Sequence, residues 1–130
     1  MSAEQAIVAA INGEDAAIYA YGVIGARSRG ARAALARRTL SAHRARRQEL
    51  QSRVAEPVAA ASAYDLPFPV TDGASAARLA VIVENRMCAL LADLAAATAD
   101  DNRTQAVTGA MECAARAIAW GGQPQAFPRG

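Results

Sequence analysis

Between Pro57 and Gly73 the chain carries Pro57, Pro67 and Pro69 and no sustained periodicity, while apolar residues on both sides recur at helical spacing. Such a stretch is too long for an ordinary turn between helices, so it divides the chain into two helical hairpins. In the first, Ser2 with Gln5 forms a capping-box signature, and Ile7, Ile11, Ile18, Tyr21 and Ile24 mark a helix from about residue 3 to 27. A short link around Ser28 to Gly30 leads to a second helix marked by Leu35, Leu40, Leu50 and Val54, ending near Glu56-Pro57. In the second hairpin Asp72 or Ser75 is the expected cap of a helix whose face is Leu79, Ala80, Val83, Met87, Leu90, Leu91 and Leu94, ending near Thr98. Asn102 with Gln105 again resembles a capping box, and Val107, Met111, Ala114 and Ile118 define a fourth helix up to Gly121-Gly122. The tail from 123 to 130 reads as irregular.

Short links make each hairpin antiparallel. Helices of about 25 residues rise on the order of 37 Å, and 17 extended residues reach roughly 56 Å, so the long link can run the length of a bundle. A crossover of that kind sets the third helix parallel to the second. The chain is 53% hydrophobic but only 5% aromatic, and its apolar content is mostly Ala, which favours closely packed helices over a sheet. The expectation is one all-α domain over 1–130, a four-helix bundle.

No stretch reaches the roughly 18 uncharged apolar residues of a membrane span, and the N-terminus lacks a basic region followed by an apolar core, so a cytoplasmic protein is expected. Cys88 and Cys113 have no metal-ligand spacing and read as reduced core residues. If Glu84 and Glu112 stand at one level, the two cysteines are offset along the bundle by about 7.5 Å, too far for a disulfide.

Four residues able to bind metal, Glu14, His43, Glu84 and Glu112, fall one in each helix. Glu14 shares a heptad position with Ile7 and Tyr21, His43 lies between Leu40 and Leu50, and Glu84 borders the row of Ala80, Met87 and Leu91. Glu112 is less inward, about 100° round from Met111, and an i,i+4 pair with Arg116 is its alternative. A charged carboxylate inside a bundle costs several kcal/mol unless something pairs with it. Arg47, one turn after His43, is the expected cation, directed at Glu14, with Tyr21 closing the polar network.

Four helices joined by a short, a long and a short link resemble the ferritin-like fold. The Pro67-Phe68-Pro69-Val70-Thr71-Asp72 stretch and the Gln125-Ala126-Phe127-Pro128 ending further resemble an actinobacterial ferritin-like family of unknown function. Classical ferritin-like proteins take a Glu from the first and third helices and Glu-x-x-His from the second and fourth, and hold two irons or manganese ions. The corresponding positions here are Glu14, Leu40 with His43, Glu84, and Glu112 with Ala115, so the resemblance implies a degenerate di-iron site lacking one bridging Glu and one terminal His.

The leading expectation is a non-catalytic binding or structural module without a cofactor, in which Glu14, His43, Glu84, Arg47 and Tyr21 form a buried polar network. The alternative is a mononuclear Mn, Fe or Zn protein or oxidoreductase using Glu14, His43, Glu84 and Glu112. Nine arginines against Glu49 alone give residues 27 to 53 a charge of +8, but with no interleaved aromatic or recognition motif this reads as a solvated helix face, and nucleic-acid binding is not expected. Val8, Tyr19 and Val23 on the outer face of helix 1 are the expected homodimer surface. No Ser-His-Asp arrangement, phosphate-binding glycine loop or zinc motif is present.

Overall fold

The Ser2 hydroxyl accepts the Gln5 N–H at 3.1 Å and the Gln5 side chain accepts the Ser2 N–H at 2.9 Å, a reciprocal cap that starts the first helix where the sequence places it. The computed structural model describes residues 1–124, in four helices and no strand: α1 (Ala3–Ala26), α2 (Gly30–Gln51), α3 (Gly73–Ala97) and α4 (Asp100–Ala119). The expected tail is described only at Gln123 and Pro124, and the Gln125–Pro128 ending lies outside the described residues.

Local hydrogen bonds account for the other helix ends. α2 stops at Gln51, short of Glu56, because the Gln51 side chain donates to the Glu56 carbonyl at 3.0 Å and accepts the Val58 N–H at 2.9 Å, turning the chain out of the helix. Asp72 and Ser75 act together at the start of α3, Asp72 as the cap and Ser75 returning a bond to its backbone N–H. The Asn102–Gln105 capping box does not form. α4 begins at Asp100, which adopts φ +56°, a left-handed conformation that Asp tolerates better than most residues. That tight turn is held by Arg103, which donates to the α3 carbonyl of Ala95 at 3.0 Å and to the Thr98 carbonyl at 2.6 Å. Gly121, at φ +106°, ends α4 in a conformation that disfavours any other residue, and Gly121 and Gly122 donate back to Ile118 and Ala117.

α1 packs on α2 and α3, and α3 packs on α4. His43 pairs with Glu14 and Gly25 faces Ala36 across α1 and α2, while Tyr21 reaches Glu84 and Gly13 faces Met87 across α1 and α3, so α1 runs antiparallel to both. α2 and α3 are therefore parallel, as the long link requires. That crossover lies along the bundle with Val58, Leu66, Phe68 and Val70 against the core. Arg78 stands over the Phe68 ring at 4.4 Å. Tyr19 packs on Tyr64 of the crossover at 5.6 Å between ring centroids, and Val8 and Val23 are half-buried, so the outer face of α1 is partly covered.

Two expectations about register are corrected by the structure. Arg47 does not reach Glu14: its guanidinium donates to Asp15 at 2.9 and 3.3 Å and to the Val58 carbonyl at 2.5 Å, clamping the start of the crossover to α1. Asp15 is the buried acid on the flank of α1 that faces this part of α2, which draws Arg47 away from the bundle axis. On α4 the buried row is Ala106, Gly109, Cys113 and Ala117 rather than Val107, Met111 and Ile118, which are exposed. The smallest residues of α4 face α3, where a close approach needs them, and Trp120 closes that end of the core.

Removing the Arg47 side chain strands Asp15 and frees the crossover. Because Arg47 is partly solvated, Arg47→Ala is expected to cost about 1 to 3 kcal/mol in urea denaturation, below the cost of breaking a fully buried pair. Asp15→Asn with Arg47→Ala should recover part of that loss, since no buried charge then lacks a partner.

Candidate functional site

Glu14 of α1, His43 of α2 and Glu84 of α3 are buried at the centre of the bundle and touch one another. The His43 ring lies between the two carboxylates, with Nδ1 at 2.6 Å from Glu14 Oε1 and Nε2 at 2.8 Å from Glu84 Oε2. Tyr21 donates its hydroxyl proton to the same Glu84 oxygen at 2.7 Å, and its ring lies 5.5 Å from the imidazole. Glu14, His43 and Glu84 each interrupt an apolar helical row, and with Tyr21 they find their hydrogen-bond partners in one another.

Glu112 sits apart from this triad, its side chain 46% exposed, so it does not complete a set of four inward ligands. Arg46 links it to the centre: the guanidinium donates to Glu112 Oε2 at 2.8 Å while its Nε lies 3.8 Å from Glu14 Oε2. On the other side Arg116 lies 3.8 Å from both Glu84 Oε1 and Glu112 Oε2. Three carboxylates thus meet two guanidiniums and one imidazole. Leu40 packs against the core and Ala115 is exposed, so neither meets the cluster.

The proton count follows from the two bonds to His43. A neutral imidazole has one donor and one acceptor, and its acceptor nitrogen would face a carboxylate lone pair. An imidazolium donates to both. Burial disfavours that charge, but the hydrogen bonds and charges of Glu14 and Glu84 outweigh it and hold the His43 pKa up at about 9. The cluster is then electrically neutral at neutral pH. The same surroundings push Tyr21 well above its ordinary range, through burial first and then the Glu84 charge, so it remains a donor. The buried Cys113 thiol is also pushed up, by burial and then by Glu84 and Glu14, and stays protonated. Cys113 and Cys88 are both free thiols.

Arg46 and Arg116 are the members that sequence reasoning missed. Arg46 lies about 60° from His43 round the helix and Arg47 about 40° to the other side, so spacing alone does not choose between them. The deciding signal is Gly109. A Cβ there would lie 2.6 Å from Arg46 Cζ, so the glycine is the gap in α4 through which Arg46 passes. From spacing Arg116 is only the i,i+4 partner of Glu112, because the larger apolar residues of α4 point to a different inward face.

A metal at this centre would need the lone pairs now committed to other bonds. Both ring nitrogens of His43 face carboxylates, Glu112 is held by arginine, and a guanidinium lies 3.8 Å from each remaining oxygen of Glu14 and Glu84. Among the described residues no group of three His, Cys, Asp or Glu side chains is arranged to hold an ion. Glu14 Oε2 and Glu84 Oε1 accept no hydrogen bond, and each has an arginine 3.8 Å away. A groove of about 390 Å³ opens between α2 and α4, floored by Leu50, Leu91 and Leu94, and Arg46 is the one cluster member on its wall.

Two measurements test this geometry. A His43 pKa raised from 6.5 to about 9 adds stability that is fully present below pH 6.5 and is lost as pH rises through 9. The contribution is about 3 kcal/mol, so melting temperature should fall between pH 6.5 and 9, and His43→Gln should flatten that fall. Gly109→Ala places a methyl group against the Arg46 guanidinium and pushes it from Glu112 and Glu14. The gain of up to about 1 kcal/mol that alanine normally brings to a helix should be absent or reversed in urea denaturation.

The sequence matches the model of a domain of unknown function, DUF4439, over residues 6–130. No curated protein matches the chain. Among solved structures it is similar to a conserved hypothetical protein, rv2844, from Mycobacterium tuberculosis, at 34% identity over 91% of this chain and 94% of that chain, with a TM-score of 0.84. That likeness agrees with the expectation of an actinobacterial family of unknown function. With nearly its whole length matched, the chain belongs to the DUF4439 family.

Proposed function

We propose that this chain is a ferritin-like bundle in which an ionic cluster stands where a di-iron site would lie, and that it serves as a non-catalytic binding or structural module. The observation that carries this reading is the position of His43, whose two ring nitrogens are both committed to the carboxylates of Glu14 and Glu84. One imidazolium and two guanidiniums supply the positive charge that metal ions would otherwise supply, and a divalent cation approaching the same carboxylates meets repulsion at close range. The bundle order, with its long crossover between parallel helices, supports the ferritin-like part. The absence of catalysis is supported by burial: Glu14 and Glu84 are inaccessible, and neither lines the groove beside Arg46.

One observation favours a second reading, a single Mn, Fe or Zn ion. Glu14 Oε2 and Glu84 Oε1 are buried without a hydrogen-bond partner, and two free carboxylate oxygens are the start of a ligand set. To use them an ion would have to displace Arg46 and Arg116.

Elemental analysis separates the two readings. Protein expressed with added iron, manganese and zinc and purified without chelator should carry far less than one metal per chain. Nitrogen-15 spectra of the same sample should show His43 protonated on both ring nitrogens at pH 7. Stoichiometric metal that vanishes in Glu14→Gln, with a His43 nitrogen shifted by coordination, would replace the first reading with the second.

A further inference from the structure

Among the described residues four large apolar side chains are exposed, and apart from Met1 they are Val107 at 43%, Met111 at 67% and Ile118 at 49%, all on α4. At 100° per residue Thr104, Val107, Met111, Ala115 and Ile118 lie within about 40° of one line along the helix. From Thr104 to Ile118 the stripe carries no charge, with Asp100 on the same line only at the first turn, and it runs roughly opposite the buried row of Ala106, Gly109, Cys113 and Ala117. A helix on the surface of a bundle normally turns a charged face to water, so α4, apolar on two opposite faces, is a helix between two layers of which one is missing.

We infer that the missing layer is α4 of a second copy of this chain, packed antiparallel across a two-fold axis. The stripe is complementary to itself in that direction. Setting Val107 against Ile118 of the second copy brings Met111, the most exposed of the three, over the small Ala114 and Ala115, and by symmetry the same contacts occur twice. A face without charge meets its own copy without like-charge repulsion, and antiparallel helices align their dipoles favourably. A parallel pair would instead set Met111 on Met111 and Ala115 on Ala115, a clash beside a void.

The area sets the strength. The three side chains expose on the order of 300 Å², the size of a functional surface patch but short of the roughly 800 Å² per partner of a standard interface. The 20-residue helix is about 30 Å long, so flanking Thr104, Thr108 and Ala119 must join the contact. A contact of this size belongs with the weak, transient interfaces. This surface differs from the outer face of α1, where Tyr19 is already packed on Tyr64.

Sedimentation velocity of the chain from roughly 5 to 500 µM should show a reversible rise from monomer to dimer. Met111→Glu, at a solvent-facing position, should keep its helical circular dichroism and weaken association at least tenfold. Because Cys88 and Cys113 are buried, introduced thiols report orientation. Val107→Cys combined with Ile118→Cys should cross-link between chains under mild oxidation, and Val107→Cys alone should not. A parent that remains monomeric throughout, or Met111→Glu that associates as tightly as the parent, would overturn the interface. Cross-linking by Val107→Cys alone would overturn its antiparallel direction.

Discussion

The imidazolium of His43, held between two buried carboxylates, is the interaction on which the rest of the bundle depends. Isolated in an apolar interior, Glu14 and Glu84 would each be strongly destabilising as anions. Joined through His43, they become acceptors of short charge-assisted bonds, and three helices meet at one ring. The arrangement removes charge from the core as a sum rather than residue by residue. Its members are consequently interdependent, because deleting any one leaves an uncompensated charge among the others.

The fourth helix enters this system differently. α2 and α4 have no close backbone contact among the described residues, and what spans the gap is arginine: Arg46 reaches Glu112, and just past the end of α2 Arg53 reaches Gln105. Small residues make these bridges possible. Gly109 admits the Arg46 side chain, and Ala42 and Ala45 line the open groove beside it where larger residues would fill it. Small residues on the inner face of α4 also bring it close to α3, and that choice turns Val107, Met111 and Ile118 outward. The tight inner contact and the apolar outer face of α4 thus have one cause.

The parts of the fold legible in the sequence are those where one residue type breaks a pattern. Glu14, His43 and Glu84 interrupt apolar rows, and the prolines between 57 and 69 interrupt all periodicity, so these two buried acids, the histidine and the crossover stand out from the sequence alone. The register of α4 was not legible, because alanine occurs on several of its faces and every row looks partly apolar. Reading the larger side chains as core, normally sound, fails where close helix packing requires the smallest ones. The roles of Arg46 and Arg47 are not legible for a related reason: both flank His43, and what separates them is Asp15 and Gly109, which lie on other helices.

An ionic cluster is a costly way to fill a core, since well-packed apolar residues of similar volume are often as stabilising or more so. What the cluster adds is direction. Alanine is the commonest residue of the core, and where its small side chains meet, helices can slide or rotate with small changes in buried area. Hydrogen bonds from His43 to α1 and α3, from Tyr21 to Glu84 and from Arg46 to Glu112 permit only one axial level and one rotation of each helix. The remaining orphaned oxygens, Glu14 Oε2 and Glu84 Oε1, point the same way. They are left without hydrogen bonds because the geometry that satisfies His43 and Tyr21 does not bring a donor to them. The arginines 3.8 Å away offset their charge but not their full bonding capacity. The cluster is thus better suited to fixing the relative positions of four helices than to maximising their stability.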